Sequence, residues 1–186
     1  MIAPRCTEAP EGAAAAAAAR HRAPLPRLET ERLVLRAAEI GDLPLWTEIY
    51  ASEDAAQFGG PFDAETAWES FCVYTAGWLL HGHGVWAVER REDGALLGFV
   101  HLGLEWDDPE PELGWILAPE ARGRGYATEA AGAARAYGAG LFESFVSCVD
   151  AGNAASAAVA RRLGAAIDDA ASAAHGVGIW RHRRPA

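Results

Sequence analysis

The chain contains no lysine: its 16 basic side chains, among 186 residues, are all arginine, and they face 26 acids for a formal net charge of −10. A domain this acidic lacks the basic face that general nucleic-acid or anionic-membrane binding requires, so neither is an expected partner. Cysteine is scarce as well. Cys6, Cys72 and Cys148 form no close pair in sequence, which argues against a disulfide framework or a Cys-type zinc site and fits a reducing cytoplasm. No stretch approaches the run of about 18 apolar residues that a membrane span needs, and no internal repeat is visible. What is abundant is alanine, at 42 residues. Much of the 51% apolar content is therefore small side chain with little area to bury, and the core is left to 7 Trp, 6 Phe and the Leu, Val and Ile runs. The alanine excess and the missing lysine together read as a coding-composition bias.

Two parts differ in character. Residues 1–27 hold Pro4, Pro10, Pro24 and Pro26 and the run Ala13–Ala19, and are read as an extension without stable structure of its own. The run has the composition of a helical turn or two, marginal without packing. Residues 28–186 form the domain. There Arg32–Arg36 alternates as a strand, and helices follow from Gly41 to Ser52 and from Ala64 to Leu80. Strands at Val85–Arg90 and Leu96–Leu104 flank the turn Glu92-Asp93-Gly94. After Pro109–Pro111 come a strand at Leu113–Leu117, a helix at Thr128–Tyr137 and a strand at Phe145–Val149. A helix at Ala154–Leu163 stopped by Gly164 and a last strand at Gly178–Arg183 close the chain. The order predicts an α/β (α+β) domain with a mixed sheet.

The stretch Glu112–Ala131 carries the chemistry. An apolar strand enters the loop Arg122-Gly123-Arg124-Gly125-Tyr126-Ala127, which opens into an Ala-rich helix. Glycines there let the backbone bend tightly, and free amides at a helix start favour an anion, phosphate above all. Arg122 and Arg124 add charge. The loop is no Walker A motif, because no Gly-Lys-Ser/Thr follows. It is a poor dinucleotide fingerprint, because Thr128 stands where a third Gly or Ala belongs and the loop comes late in the fold. A plain strand-to-helix turn is the other reading of the six residues alone.

The spacing Arg122-x-x-Gly125-x-Ala127 resembles the Arg/Gln-x-x-Gly-x-Gly/Ala loop of the GNAT N-acetyltransferases, which holds the pyrophosphate of coenzyme A. Flanking segments make the resemblance specific to the RimJ/RimL-like subgroup: Leu28–Leu35, Phe58–Pro61, Gly84–Val88, Asn153-Ala-Ala-Ser156 with Arg162–Ala165, and Ile179–His182. It spans about residues 28–184, in order.

The resemblance implies a mixed, mostly antiparallel sheet with helices on both faces and two splayed parallel strands, here Leu113–Leu117 and Phe145–Val149. Acetyl-CoA would lie in the wedge as acyl donor, with backbone amides near Ile116 and Leu117 polarising the thioester carbonyl. An amine acceptor, a protein or peptide N-terminus or a small cationic amine, would attack directly. No metal is implied. Glu112 is the candidate base, with an exposed strand-start carboxylate or an Arg partner as the other reading; Glu105 is the fallback. The family's usual Tyr acid has no counterpart beyond Tyr137, and Ser156 resembles the hydroxyl offered instead, or simply caps its helix. Asn153 resembles a pantetheine contact and is equally a helix cap. GNAT domains often pair, so a homodimer is one expected assembly.

Other features are open. His81 and His83 read as a solvated loop rather than a metal site. His101 is a core-edge histidine or faces the acceptor. Trp86, Trp106 and Trp115 are core or cleft wall. Glu105, Asp107, Asp108, Glu110 and Glu112 make either a solvated acidic loop or an electrostatic lure for a cation. Gln57–Phe62 and Asp107–Glu112 are the expected acceptor loops. The vacant acid and open base leave an alternative function, a catalytically inactive acyl-CoA-binding sensor on the same fold.

Overall fold

The computed structural model describes residues 4–106 and 108–184. The Ala run forms helix α1 (Gly12–Arg22), none of whose side chains is buried. Its last residue, Arg22, pairs with Glu39 at 3.0 Å; just after it Leu25 and Leu28 pack on the core, and the Pro26 carbonyl accepts the Trp86 indole N–H at 2.8 Å.

The strands are β1 (Leu28–Glu29), β2 (Leu33–Ala37), β3 (Val85–Arg90), β4 (Leu96–Gly103), β5 (Glu112–Leu117), β6 (Ser144–Val149), β7 (Ala166–Ile167) and β8 (Gly178–Arg183). They form one sheet in the order β1-β2-β3-β4-β5-β6-β8-β7. Neighbours are antiparallel except β5 and β6, which are parallel. Helices α2 (Leu43–Ala51) and α3 (Ala64–Leu80) cover one face, and α4 (Tyr126–Leu141) the other. The chain is completed by α5 (Ala154–Arg162) and α6 (Asp169–His175).

Because both faces are covered, β3 reads as a continuous buried run, Val85 to Val88, rather than as an alternation. Alternation still assigns the faces. Val85, Ala87, Phe99 and Ile116 pack with Trp46, Phe71 and Tyr74 under α2 and α3. Trp86, Val88, Val100, Leu102 and Leu113 pack with the small side chains of α4. That helix presents Ala130, Ala134 and Gly138 to the sheet and so lies close to it. A Cβ at Gly138 would stand 3.0 Å from Leu102 Cδ2 and 3.2 Å from Phe145 Cζ.

Several elements depart from the sequence reading. Helix α4 begins at Tyr126 rather than Thr128 and continues to Leu141 through two glycines. Residues 166–175, to which the sequence reading gave no element, hold β7 and α6. Six residues before Gly59, Glu53–Phe58, wind into a 3₁₀ segment.

Candidate active site: a wedge between two parallel strands

The parallel pair β5 and β6 meets at a single register position, Glu112 opposite Val146, braced by the Val146 N–H donating to the Pro111 carbonyl at 2.9 Å. Beyond it the strands separate, and side chains replace the ladder. Ser147 Oγ donates to the Leu113 carbonyl at 2.6 Å. That leaves Oγ to accept from His182 Nε2, 3.0 Å away in the buried layer between β6 and β8. Burial, with Arg135 adding to it, pushes His182 down to about 4, so the ring is neutral. One residue on, the Cys148 N–H donates to the Glu112 carboxylate at 3.1 Å in place of a strand carbonyl.

The wedge belongs to a cavity of about 1420 Å³. It runs from the loop at the start of α4, past the open edges of β5 and β6, to the aromatic side chains of α2 and α3. At the loop end, Gly123 and Gly125 have φ of +73° and +82°, a conformation an L side chain rarely adopts. Gly125 is the N-cap of α4. Among the described residues, the amides from Gly123 to Ala127 donate to no protein acceptor. Glu129 fixes the helix start by accepting from Thr30 Oγ1 at 2.6 Å, the Arg32 N–H at 2.9 Å and Arg32 Nε at 2.7 Å. These amides, at the positive end of a sixteen-residue helix, suit a pyrophosphate.

Along the wedge, the Ala118 N–H donates to the Leu97 carbonyl at 2.9 Å. Hydrogen bonding alternates along an antiparallel edge, so the Ile116 amide also points to β4 and the Leu117 amide points into the wedge. Of the two amides named from the sequence, Leu117 is the one presented to a thioester; Ile116 is committed to the sheet.

The polar residues named from sequence are distributed as follows. Glu112 stands at the apex of the wedge, partly buried and pushed up to about 7 by desolvation. The Cys148 N–H opposes that shift, and the charges of Asp108 and Glu105 add to it. Arg122 Nε donates to the Leu117 carbonyl at 3.0 Å, and its guanidinium pairs with Asp54. Asn153 caps α5 by accepting from the Ser156 N–H at 2.9 Å, and its amide donates to Gln57. The Ser156 hydroxyl has no partner among the described residues and lines the cavity. Arg124 contributes its carbonyl, which accepts from Arg32 at 3.1 Å. Glu105 does not stand free as a base: it accepts the Tyr74 hydroxyl. Glu110 pairs with Arg181 at 2.6 Å and leaves the acidic group. Asp107 lies outside the described residues. Trp86 is core, whereas Trp106 is 99% exposed at the cavity wall.

The sequence reading missed Tyr74, Ser147 and Asp54, and it named Gln57 only as part of an acceptor loop, not as the partner of Asn153. Tyr74 had a visible signal, a phenol at the Phe71-plus-three position of an apolar helix stripe, where a hydroxyl needs a partner. The others act through partners 34 or more residues away, which no local pattern records.

The geometry has its match among known proteins. Residues 32–166 match the family model described as the acetyltransferase (GNAT) domain. The chain belongs to the GNAT acetyltransferase family. A solved acetyltransferase from Agrobacterium tumefaciens is 36% identical, with a TM-score of 0.80 over 86% of this chain and 95% of that one. The same GNAT fold recurs in spermidine N-acetyltransferase from Vibrio cholerae in complex with CoA and spermine (19% identity, TM-score 0.67, 83% and 97% covered). It recurs too in RimL, a ribosomal L7/L12 alpha-N-protein acetyltransferase in complex with CoA (16% identity, TM-score 0.69, 85% and 98% covered). The expected GNAT sheet, mostly antiparallel with two splayed parallel strands, is the one found.

Proposed function

We propose that the chain transfers an acetyl group from acetyl-CoA to a primary amine, either a protein or peptide N-terminus or a small cationic amine, within a catalytic domain at residues 28–186. The observation that carries this reading is the single-pair junction of β5 and β6, with a carboxylate at its apex and, at the rim of the same cavity, Gly123, Gly125, Tyr126 and Ala127 with unengaged amides. The relationship to RimL-type enzymes supports the N-terminal class and the spermidine enzyme the small-amine class. Three unpaired cysteines agree with a reducing cytoplasmic setting.

In this reading the amides of Gly123 to Ala127, with Arg122 and Arg124 beside them, hold the pyrophosphate. Asn153 contacts the pantetheine arm. The Leu117 amide donates to the thioester oxygen and stabilises the charge that develops there. The donor supplies an activated acyl carbon. Glu112 takes a proton from the ammonium, directly or through water, and the freed nitrogen forms the new C–N bond as the C–S bond breaks. The nitrogen sheds its second proton as the amide forms, and in this reading Ser156 relays that proton to the departing thiolate, its hydroxyl giving up one proton as it takes the other.

Two donor-side residues are held by the 3₁₀ segment: Arg122 by Asp54 and Asn153 by Gln57. Asp54→Asn frees the Arg122 guanidinium from an exposed pair of modest strength. Acetyl-CoA is then expected to bind about two- to fivefold tighter by calorimetry; weaker binding would show that Asp54 orients Arg122 rather than competing for it.

The test of the reading is thiol release from acetyl-CoA with spermidine, with peptides bearing free N-termini and with small aromatic amines. Turnover with at least one amine is expected. Binding of acetyl-CoA without turnover of any amine would favour an acyl-CoA sensor.

A further inference from the structure

His101 occupies a slot built for it. In the β4/β5 register it lies opposite Gly114, while Gly103 lies opposite Glu112. His101 is therefore the diagonal neighbour of Glu112 on the same face of the sheet. A Cβ at Gly114 would collide with the imidazole. A Cβ at Gly103 would stand 3.3 Å from the Tyr74 ring and 3.7 Å from His101 Cδ2. These two glycines, diagonal to each other on β4 and β5, thus clear the space in which the ring lies, and the Tyr74 ring covers it at 4.5 Å between centroids.

The polar atoms of this ring are unused. Neither nitrogen has a hydrogen-bond partner among the described residues. The two buried histidines differ from this half-buried one: His83 Nδ1 lies 2.9 Å from the Leu102 carbonyl, and His182 Nε2 is held by Ser147. Yet His101 lines the cavity alongside Glu112, so a ligand there can reach it. Desolvation pushes its pKa down to about 4. The groups facing it are Tyr74 from α3, which is tied to Glu105, and Glu112 from β5. A ring that stays neutral is a poor proton store beside Glu112, but its bare nitrogen is an acceptor open to an N–H of a ligand in the cavity.

We propose that His101 is an acceptor-binding residue, taking a hydrogen bond from an N–H of the incoming amine and directing its lone pair toward the wedge, while Glu112 removes the proton. This deepens the transferase reading and rests on it for the role of Glu112. A primary amine keeps an N–H for His101 after losing one proton to the carboxylate, so the two residues read one substrate nitrogen together.

Two measurements test the assignment. The first needs no turnover: imidazole ¹⁵N NMR of the CoA-saturated protein during titration with n-butylamine. A saturable shift of the unprotonated His101 nitrogen is expected, with the His83 and His182 signals unmoved; no shift at amine concentrations that saturate other site signals overturns the proposal. The second compares His101→Phe and His101→Gln. The Phe variant is expected to lose about tenfold in kcat/KM for the amine, with acetyl-CoA affinity within about twofold and the acid limb of the pH profile still near 7. The Gln variant, which keeps an acceptor, is expected to recover part of the loss. An unchanged kcat/KM in the Phe variant, or an acid limb that moves with either substitution, overturns the proposal. Should the wild type bind acetyl-CoA and acetylate no amine, the transferase reading fails, while the NMR titration still decides His101.

Discussion

Glu112→Gln is expected to lower kcat/KM for the amine by about 100-fold or more and to abolish the acid limb of the pH profile. The wild-type rate should rise with pH through about 7, because only the ionised Glu112 can accept a proton and burial has moved its pKa there from 4.5. Gln keeps an oxygen for the Cys148 N–H, so the wedge retains its bracing while losing its base. Stability supplies an independent check, and its sign is opposite to a simple loss of contact. The folded-state pKa lies above the unfolded one, so folded protein holds a proton that the unfolded chain has released between pH 4.5 and 7. This carboxyl therefore becomes progressively unfavourable to folding as pH rises through that window. Glu112→Gln should melt higher than the wild type at pH 8, with the gap closing toward pH 4.5. A variant that is less active yet melts identically at both pH values would mean that Glu112 is not buried as described.

Gly125→Glu is expected to remove donor binding: the rise in melting temperature that acetyl-CoA gives the wild type should vanish. Two effects act together. Gly125 sits at φ +82°, so any side chain strains the turn that aims the amides. A carboxylate at the N-cap also places negative charge where the phosphates are to lie. Gly125→Ala separates the effects, since it adds the strain without the charge and should bind more weakly than the wild type but measurably. Stabilisation by a ligand grows with the ratio of its concentration to Kd, so comparing the three proteins at one acetyl-CoA concentration ranks their affinities. An undiminished shift in Gly125→Glu would move the pyrophosphate elsewhere in the cavity.

How much of this was legible beforehand varies by element. Helix α3 and strand β8 were readable to the residue, because apolar spacing and flanking glycines mark their ends. The loop at Arg122–Ala127 was readable because its chemistry is local: glycines, arginines and a helix start within six residues. Helix α4 was cut short because Gly138 looks like a stop; in fact it faces Leu102 and Phe145, where a Cβ would crowd them. Helix α6 was missed because Asp169–His175 carries no apolar stripe and buries nothing. The wedge itself was expected only through a family resemblance. Its physical cause, a parallel ladder that stops after Glu112 and Val146, depends on residues 34 apart in sequence. Likewise His101 could not be assigned to core or acceptor until Gly114, from the next strand, was seen to make room for it.

Calorimetric titration of the purified protein with acetyl-CoA tests the central claim most directly, since every proposed role depends on the donor lying in the wedge with its phosphates on the α4 amides. The account predicts saturable heat at one site per chain, lost in Gly125→Glu. The absence of heat at millimolar acetyl-CoA, or undiminished binding by that variant, would contradict it.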